Sequence, residues 1–218
     1  MWGFLVVVLA LAQSAYGSTW QQLGGDIDGE VAGDQSGFSV SLSSDGTIVA
    51  VGARDNDGSF DDAGHVKVYN LTNGDWDQLG SNIEGEAEGD FSGQSVSLSS
   101  DGTIVAVGAY KNKGVNGWYS GHVRVHHFIN GSWNKLGSDI DGEDSSDYSG
   151  NDVSLSSDGT IVAVGAFYND GVNKSDSGHV KVYNYTNNDW HQVGSDIDGE
   201  YAYDYSGISV SLSGNGAI

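Results

Sequence analysis

The sequence predicts an all-β fold, a β-propeller of four-stranded blades, in which each blade is one copy of a repeat about 57 residues long. The segment SGFSVSLSSDGTIVAVGA at 36–53 returns nearly unchanged at 92–109 and 149–166, and a fourth copy begins at Ser206. Tryptophans recur with the same period, at spacings of 56, 57 and 57 residues: Trp20, Trp76, Trp133 and Trp190. Strand signals occur between turn residues without helical periodicity, which favours four-stranded blades.

Each repeat carries four strand signals, as the first copy shows. FSVSLS alternates apolar and polar residues, which places Val40 and Leu42 on one face and the serines on the other. TIVAVGA is apolar on both faces and rich in β-branched residues, so it suits a buried inner strand. HVKVY alternates again with Val66 and Val68 inward, and WDQLG closes the repeat.

Turns and loops separate these strands. Asp45-Gly46 joins the first two strands and predicts a two-residue type I′ hairpin. The fourth copy has Asn215-Gly216 there, so we expect the Asp or Asn position to require a positive φ. The loop between the second and third strands has ten residues at 54–63 but eleven at 110–120 and 167–177, a length change that loops tolerate.

The number of blades predicts an incomplete ring of about three and a half repeats. An isolated fourth strand at Trp20 precedes the complete blades and an isolated first strand at 208–212 follows them. The three complete blades are 38–79, 94–136 and 152–193. A propeller closes with about four or more blades, so we expect a longer propeller or a truncated reading of one. A partial ring that self-assembles is the alternative.

The N-terminus predicts secretion. Residues 1–17 read as a signal peptide, because the apolar run 4–12 is short and Ala15 and Gly17 suit cleavage before Ser18. An uncleaved buried segment or anchor is the alternative. The remaining residues, 18–218, form the predicted propeller repeats. The chain contains no Cys, so packed sheets rather than disulfides must stabilise it outside the cell.

The charge limits the partners. The chain has 30 acidic and 8 basic residues and a formal net charge of −22. Such a surface repels phosphate backbones and anionic lipid headgroups, so we expect neither nucleic acid nor a membrane surface as a partner. Beyond the N-terminus no stretch approaches the roughly 20 apolar residues of a membrane helix, so direct membrane insertion is not expected. Divalent cations and basic proteins fit the charge.

SGFSVSLSSDGTIVAVGA followed by GHVKVYN resembles the FG-GAP repeat of integrin α-subunit propellers. The resemblance covers nearly all of 18–218 and implies a propeller used for binding or adhesion. Ser-Gly replaces Phe-Gly in every copy, as at Ser36-Gly37, and the Pro of that motif is missing. The family's calcium loop is replaced by Ser-Asp-Gly, too short for the roughly six to eight oxygens of Ca²⁺, so that site does not carry over. The hairpin also resembles the WD repeat, another propeller, whose period is shorter.

The loops from the fourth strand to the next first strand are acidic. They read DIDGEVAGD, NIEGEAEGD, DIDGEDSSD and DIDGEYAYD, and hold 17 of the 30 acidic residues. Alternating carboxylates followed by Gly suit a hard cation, so one hypothesis is a Ca²⁺ site on this face. A solvated acidic rim that keeps the protein soluble is the alternative. The candidate ligands are Asp26, Asp28, Glu30, Asp34, Glu84, Glu86, Asp90, Asp139, Asp141, Glu143, Asp147, Asp196, Asp198, Glu200 and Asp204.

The loops between the second and third strands are the most variable and should lie on the same face. They carry aromatic residues beside acids, which could stack on sugars or contact a protein partner. The alternative is that they cap the blade edges. These residues are Phe60, Trp118, Tyr119, Phe167 and Tyr168.

Other recurring residues suggest packing and modification. The histidines at the start of each third strand and the tryptophans of each fourth strand are best explained by blade packing. Four Asn-x-Ser/Thr sequons predict N-glycosylation in a secreted chain, three in turns opposite the acidic face and one in a loop on it. The histidines are His65, His122 and His179, and the sequons are Asn70, Asn130, Asn184 and, in the loop, Asn173.

No catalytic motif breaks the repeat, so we expect no enzyme activity. The sequence favours a non-enzymatic extracellular binding or adhesion module that presents its acidic loop face to a protein or glycan ligand, with calcium as the one candidate cofactor. A structural matrix or cell-wall protein and a propeller glycoside hydrolase are the alternatives.

Overall fold

The computed structural model describes residues 9–10, 21–171 and 175–217, and over these it is built of strands and turns. Most of the predicted signal peptide and Trp20 lie outside the described residues. Within that peptide, strand β1 (Leu9–Ala10) pairs with β2 (Gln21–Gln22). No helix in the described part of the chain has the length and hydropathy needed to cross a membrane.

Three antiparallel meanders follow, named here units 1, 2 and 3, and each contains the four predicted strands in order. Unit 1 consists of β3 (Ser36–Leu42), β4 (Ile48–Ala53), β5 (His65–Thr72), β6 (Asp75–Gln78) and β7 (Ile83–Glu84). Unit 2 consists of β8 (Ser92–Leu98), β9 (Ile104–Ala109), β10 (His122–Ile129), β11 (Ser132–Lys135) and β12 (Ile140–Asp141). Unit 3 consists of β13 (Asp152–Leu155), β14 (Ile161–Ala166), β15 (His179–Thr186), β16 (Asp189–Gln192) and β17 (Ile197–Asp198).

The predicted all-β propeller fold is confirmed, with one addition to each blade. The short strands β7, β12 and β17 lie inside the acidic loops and pair with the start of the third strand of their unit, as Ile83 does with Val66. The middle strand β4 is buried on both faces, as its apolar sequence predicted. Three of the four acidic loops are therefore attached to a sheet at the Ile-Asp or Ile-Glu step.

The turn prediction was wrong for the first hairpin. The Gly46 amide donates to the Ser43 carbonyl at 3.0 Å, and Gly46 has φ +72° while Asp45 is not left-handed. This is a longer turn ending in a left-handed glycine, in which the Asp45 carboxylate accepts from the Thr47 amide at 3.0 Å. Asn215 likewise has no positive φ. Two-residue turns with positive φ at both positions instead join the third and fourth strands, at Asn73-Gly74 for example.

Neighbouring units pack face to face through apolar residues. The middle of β4, the start of β5 and β7 in unit 1 cover the apolar face of β8 and β9 in unit 2. The same contact recurs between units 2 and 3. The first of these clusters contains Ala50, Val66, Val68, Ile83, Val96, Leu98, Val105 and Val107.

Serine and tryptophan side chains bond one unit to the next. Ser39 Oγ donates to the Gly93 carbonyl at 2.7 Å, and Ser41 Oγ accepts from the Leu98 amide at 2.9 Å. Trp133 Nε1 donates to the Leu79 carbonyl of the preceding unit at 2.8 Å. Trp76 and Trp190 do the same to Leu23 and Leu136, which confirms the tryptophans as blade-packing residues.

The strand predicted at 208–212 does not form. This segment lies against unit 3, where the Val210 amide donates to Asp152 Oδ2 at 2.7 Å and the Leu212 amide to Ser154 Oγ at 2.9 Å. Within the part of the chain that the structure describes, no strand forms a ladder with this segment.

Candidate functional site

The second-to-third-strand loop of each unit meets the acidic loop that leads into that unit, so both loop classes lie on one face. Asn56 Nδ2 donates to Asp34 Oδ2 at 2.7 Å in unit 1, and Asn169 Nδ2 donates to Asp147 Oδ2 at 3.0 Å in unit 3. This confirms the predicted sharing of one face. We call it the loop face, and we call the opposite side, with the other hairpin turns, the turn face.

The last aspartate of each acidic loop closes the loop on itself. Asp90 Oδ2 accepts from the Ala87 amide at 2.9 Å, and Asp147 Oδ2 accepts from the Asp144 amide at 2.9 Å. Both aspartates and Asp34 are buried. Burial raises the pKa of Asp90 and of Asp147, against the lowering effect of the Asn amides. These carboxylates hold the loops in shape, and their oxygens already have protein partners.

One glutamate in each of the first three acidic loops pairs with a basic residue of a third strand. Glu30 pairs with Lys67, and Glu86 and Glu143 pair in the same way with Arg124 and Lys181. The basic side chains are largely buried, whereas the glutamates are about half exposed. Since each glutamate comes from the loop before the unit of its partner, these ion pairs connect successive parts of the array.

The first residue of each acidic loop, an Asp or in one loop Asn82, accepts a hydrogen bond from the side chain four positions earlier. Gln192 Nε2 donates to Asp196 Oδ1 at 2.6 Å, and Gln22 Nε2 donates to Asp26 Oδ1 at 2.7 Å. Asp139 has stronger partners, because Arg124 donates to both of its oxygens at 2.9 and 2.7 Å. Burial raises the Asp139 pKa, but the bonds from Arg124 and Lys135 outweigh burial and leave it well below the ordinary value.

Among the described residues two groups have metal-ligand geometry, but a basic side chain already contacts the acids of each. In both, a glutamate, a histidine and an aspartate bring their ligand atoms within 4.8 Å of one another. Arg124 contacts both acids of the first group, and Lys181 contacts both acids of the second. The positive charge between these carboxylates therefore comes from the chain itself. The groups are Glu86–His122–Asp139 and Glu143–His179–Asp196.

The remaining predicted ligands lie on the short strands and in the last acidic loop. Glu84 and Asp141 pair in register with His65 and His122, and Asp198 pairs with His179. Burial raises the pKa of Asp141. Glu200 and Asp204 are exposed, and Asp204 Oδ2 accepts from the Tyr201 amide at 2.7 Å. The fifteen predicted ligands are thus spread over four loops.

The histidines at the start of the third strands are buried packing residues, as predicted. Burial lowers the pKa of His122 to about 4, and Arg124 two residues later lowers it further. Burial also lowers the pKa of His65 and of His179. All three imidazoles are therefore neutral near pH 7.

A cavity of about 720 Å³ opens on the loop face at unit 3. Its walls are the acidic loop at 143–148, the loop at 168–171 and 176, and the start of β17. Tyr148 and Tyr168 supply aromatic surface beside the acids. Seven carboxylates line it: Glu143, Asp144, Asp147, Asp170, Asp176, Asp196 and Asp198.

Aromatic rings form a continuous row across the loop face, the aromatic ladder. Tyr148 is its centre and stacks on Tyr119 with centroids 5.7 Å apart and planes 7° from parallel. Tyr168 lies 5.3 Å from Tyr148 and 5.3 Å from Tyr205. The ladder consists of the rings whose centroids lie 5.9 Å or less from that of another member: Phe91, Tyr110, Tyr119, Tyr148, Phe167, Tyr168 and Tyr205.

Of the five predicted ligand-binding aromatics, three lie in this ladder: Tyr119, Phe167 and Tyr168. Trp118 is exposed beside it, 6.4 Å from Tyr119, and Phe60 is exposed in unit 1. Sequence reasoning missed Phe91, Tyr148 and Tyr205 and the basic residues of the third strands. Both groups could have been found from the repeat. The three aromatic residues each follow the last aspartate of an acidic loop, and the basic residues each lie two positions after a recurring histidine.

The sequons are placed differently from the prediction in two cases. Asn70 and Asn184 lie within the third strands β5 and β15 rather than in turns, and both are partly exposed. Asn130 lies in the predicted turn, on the turn face, with φ +54°. Asn173 lies outside the described residues. The strands extend to residue 72 and residue 186 because the two-residue turns that follow are shorter than expected.

No protein-family model and no curated protein matches the sequence. The fold is similar to that of a provisionally named 6-phosphogluconolactonase from Bacteroides uniformis, with TM-score 0.59 and 12% identity over 89% of this chain and 49% of that chain. A provisionally named 6-phosphogluconolactonase from Bacteroides fragilis matches with TM-score 0.55 and 13% identity, over 86% and 45%. The chain spans about half the length of these structures. At such identities the likeness shows the propeller fold alone.

Proposed function

We propose that this chain is an extracellular, non-enzymatic binding module of the FG-GAP type, which presents its loop face to a protein or glycan ligand. The supporting observation is the meeting of acidic loops and an aromatic ladder around a cavity of about 720 Å³. Secretion and family membership rest on the N-terminal sequence and on the repeat motif. Rigid strands that carry variable loops are a common design for binding sites.

The charge and the rings favour a ligand with basic or hydroxyl-rich groups. Carboxylates attract cations and accept hydrogen bonds from sugar hydroxyls, and aromatic faces take either cations or sugar rings. By contrast, a matrix role without a ligand gives no reason for a cavity on one face. The turn face differs, because its aspartates such as Asp45 are occupied by their own turns.

The proposal can be tested by attaching the protein to a surface in two orientations. The chain contains no Cys, so one introduced cysteine provides a single attachment point. E88C places the attachment point on the exposed loop face, and S132C places it on the turn face. Protein and glycan arrays are then probed with each attached form. We expect saturable ligands for the S132C form and their loss for the E88C form. Equal binding by both forms, or no saturable ligand for either, contradicts the proposal.

Calcium dependence remains part of the proposal as a separate prediction. Asp34, Asp90 and Asp147 have protein partners, so the exposed acids Asp28, Glu84 and Asp198 are the carboxylates best suited to a hard cation. A rise in melting temperature with millimolar CaCl₂, absent with NaCl at equal ionic strength, supports a calcium site. An unchanged melting temperature contradicts a calcium site and favours the alternative, a solvated acidic rim.

A propeller hydrolase is the second candidate, favoured by the names of the two similar structures. A phosphorylated sugar lactone would need cationic side chains, whereas Lys67, Arg124 and Lys181 are ion-paired with the chain's own acids. We therefore rank this candidate below binding. Lactone hydrolysis above the buffer rate, abolished by D170N, would reverse the order.

A further inference from the structure

We propose that Tyr119 and Tyr148 on the loop face form a site of oxidative cross-linking, at which peroxide-driven oxidation joins the two phenol rings as dityrosine. The inference goes beyond the proposed function, because it concerns a covalent modification and needs no bound ligand. It comes from comparing one pair of residues that the repeat places at the same backbone contact in all three units.

This backbone contact joins the variable loop of each unit to the acidic loop that follows it. The residue after the last aspartate of the acidic loop donates its amide to the carbonyl of the residue three positions before the recurring histidine. The pairs, with their N···O distances, are Phe91–Asp62 at 3.1 Å, Tyr148–Tyr119 at 3.0 Å and Tyr205–Asp176 at 3.3 Å. Of the three pairs, that of unit 2 alone has tyrosine at both positions.

The tyrosine at position 119 goes against the preference of its backbone. Tyr119 has φ +59°, in the left-handed region, and the equivalent aspartates Asp62 and Asp176 have φ +51° and +49°. Aspartate tolerates this region better than a bulky aromatic residue does. A residue held in an unfavourable conformation directs attention to the contacts of its side chain. For Tyr119 the contact in question is a ring.

The rings of Tyr119 and Tyr148 lie face to face. Their centroids are 5.7 Å apart and their planes are 7° from parallel. The other tyrosines next to Tyr148 are tilted, Tyr110 by 37° and Tyr168 by 51°. A bond between two phenoxyl radicals forms from orbitals perpendicular to the ring planes, so a parallel pair presents these orbitals to each other. Reacting groups held in such an orientation combine without a bimolecular encounter.

Both rings can be reached by an oxidant. Tyr119 is 41% exposed and Tyr148 is partly exposed. Burial raises the pKa of Tyr148, and the phenols of Tyr119, Tyr110 and Tyr168 raise it further. The Tyr148 phenol is therefore protonated near pH 7 and gives up a proton when it loses an electron. The influence of Tyr119 on this pKa also places the two hydroxyls, and the ring carbons next to them, close together.

The reaction balances with hydrogen peroxide as the oxidant and a haem peroxidase as the enzyme that uses it. Each phenol gives up one electron and one proton, and together these reduce one peroxide molecule to two water molecules. The two phenoxyl radicals then form a bond between the ring carbons next to their oxygens. The hydrogen on each of these carbons moves to the oxygen of its own ring as a proton. Both phenols are thereby restored, and the pair has lost two hydrogen atoms.

The cross-link joins two loops of a chain that contains no Cys. It closes residues 119–148 into a covalent ring, which lowers the entropy of the unfolded chain as a disulfide does. The cross-linked protein should therefore melt about 5 °C or more above the unoxidised protein.

The test treats the dilute full chain with hydrogen peroxide and a haem peroxidase and then separates the monomer from covalent dimers. Dityrosine fluorescence of the monomer measures the yield, and mass spectrometry measures the loss of two hydrogen atoms. Trypsin releases the two tyrosines on separate peptides, 114–124 and 136–174, which the cross-link joins. Thermal melts before and after oxidation measure the stabilisation and check that each variant folds.

The variants Y119F and Y168F form a matched pair, because each removes one hydroxyl from a ring next to Tyr148 and keeps the ring. We expect Y119F to lower the dityrosine yield of the monomer about tenfold or more, and Y168F to change it by less than about twofold. Oxidation should raise the melting temperature of the wild-type chain and of Y168F but not that of Y119F.

Three results would overturn the inference. The first is an equal yield of monomer dityrosine in the wild-type chain and Y119F. The second is dityrosine in covalent dimers alone, which assigns the coupling to encounters between molecules. The third is a yield that Y168F abolishes and Y119F retains, which assigns the bond to the tilted pair Tyr148–Tyr168.

Discussion

In unit 2, Val96 and Leu98 are 9% and 7% exposed, whereas their equivalents in unit 1, Val40 and Leu42, are 54% and 46% exposed. The strands are nearly identical in sequence, SGQSVSL and SGFSVSL. The difference lies in the neighbour, since unit 1 covers β8, whereas among the described residues no unit covers that face of β3. In a repeat array much of the stability comes from contacts between units, so the same residue contributes differently to the free energy of unfolding in different copies.

The largest effect on stability is expected at the leucine of the first strand, which is buried in unit 2 and exposed in unit 1. L98A should lower the free energy of unfolding by about 2–4 kcal/mol, because it opens a cavity between units 1 and 2. L42A should cost less than about 1 kcal/mol, because the side chain is already partly in water. Urea denaturation of the two variants measures both values. Equal losses would mean that the face of β3 is covered in solution.

A smaller effect concerns pH and the buried histidine of unit 2. Burial first, and then Arg124, lowers the pKa of His122 to about 4. Because the unfolded chain binds this proton near pH 6.5, stability is full above that pH and is lost as pH falls towards 4. The loss from this group should reach about 2 kcal/mol at pH 5 relative to pH 7.

The measurement compares unfolding free energies at pH 7 and pH 5 for the wild-type chain and for H122N. The variant should show a smaller loss between the two pH values. H65N is the matched control from unit 1, where burial lowers the pKa of His65 but the nearby Glu84 opposes that lowering. An identical pH dependence in wild type and H122N contradicts the assignment.

The smallest effect on stability is expected when one position of unit 2 is changed to the residue that the other units have there. Units 1 and 3 have Tyr69 and Tyr183 where unit 2 has His126. His126 is partly buried, burial lowers its pKa to about 4, and its Nδ1 has no hydrogen-bond partner in the described structure. H126Y should raise the free energy of unfolding by about 1 kcal/mol, as a consensus substitution does. The reverse change, Y183H, should lower it by a similar amount, and a loss from both would show that unit 2 has lost the space for a tyrosine.

The strands and the blade order could be predicted because they follow from local pattern. TIVAVGA is apolar on both faces, and β4, β9 and β14 are buried along their length. The period of the tryptophans placed them at the same contact in every unit. Turn geometry was harder, since Asp-Gly is compatible with more than one hairpin, and the side-chain bonds of Ser43, Asp45 and Thr47 select the longer turn.

The site was predicted at the level of a face rather than of residues. Acidic and variable loops were expected together, and the Asn56–Asp34 bond shows that they meet. The roles of individual acids were not accessible, because carboxylates that close a loop, pair with a base or line a cavity are alike in sequence. Lys67, Arg124 and Lys181 were overlooked because alternation placed them outward, whereas the acidic loop that precedes each unit in fact supplies them with a glutamate partner.

The sequence by itself determined the repeat, its four strands and the excess of negative charge, because these depend on residue order and composition alone. Tertiary structure decided which copies of a residue are buried, which acids have partners and where the rings join into a ladder. Those properties depend on distances between units about 57 residues apart in the chain. The same motif is therefore a covered surface in unit 2 and an open one in unit 1.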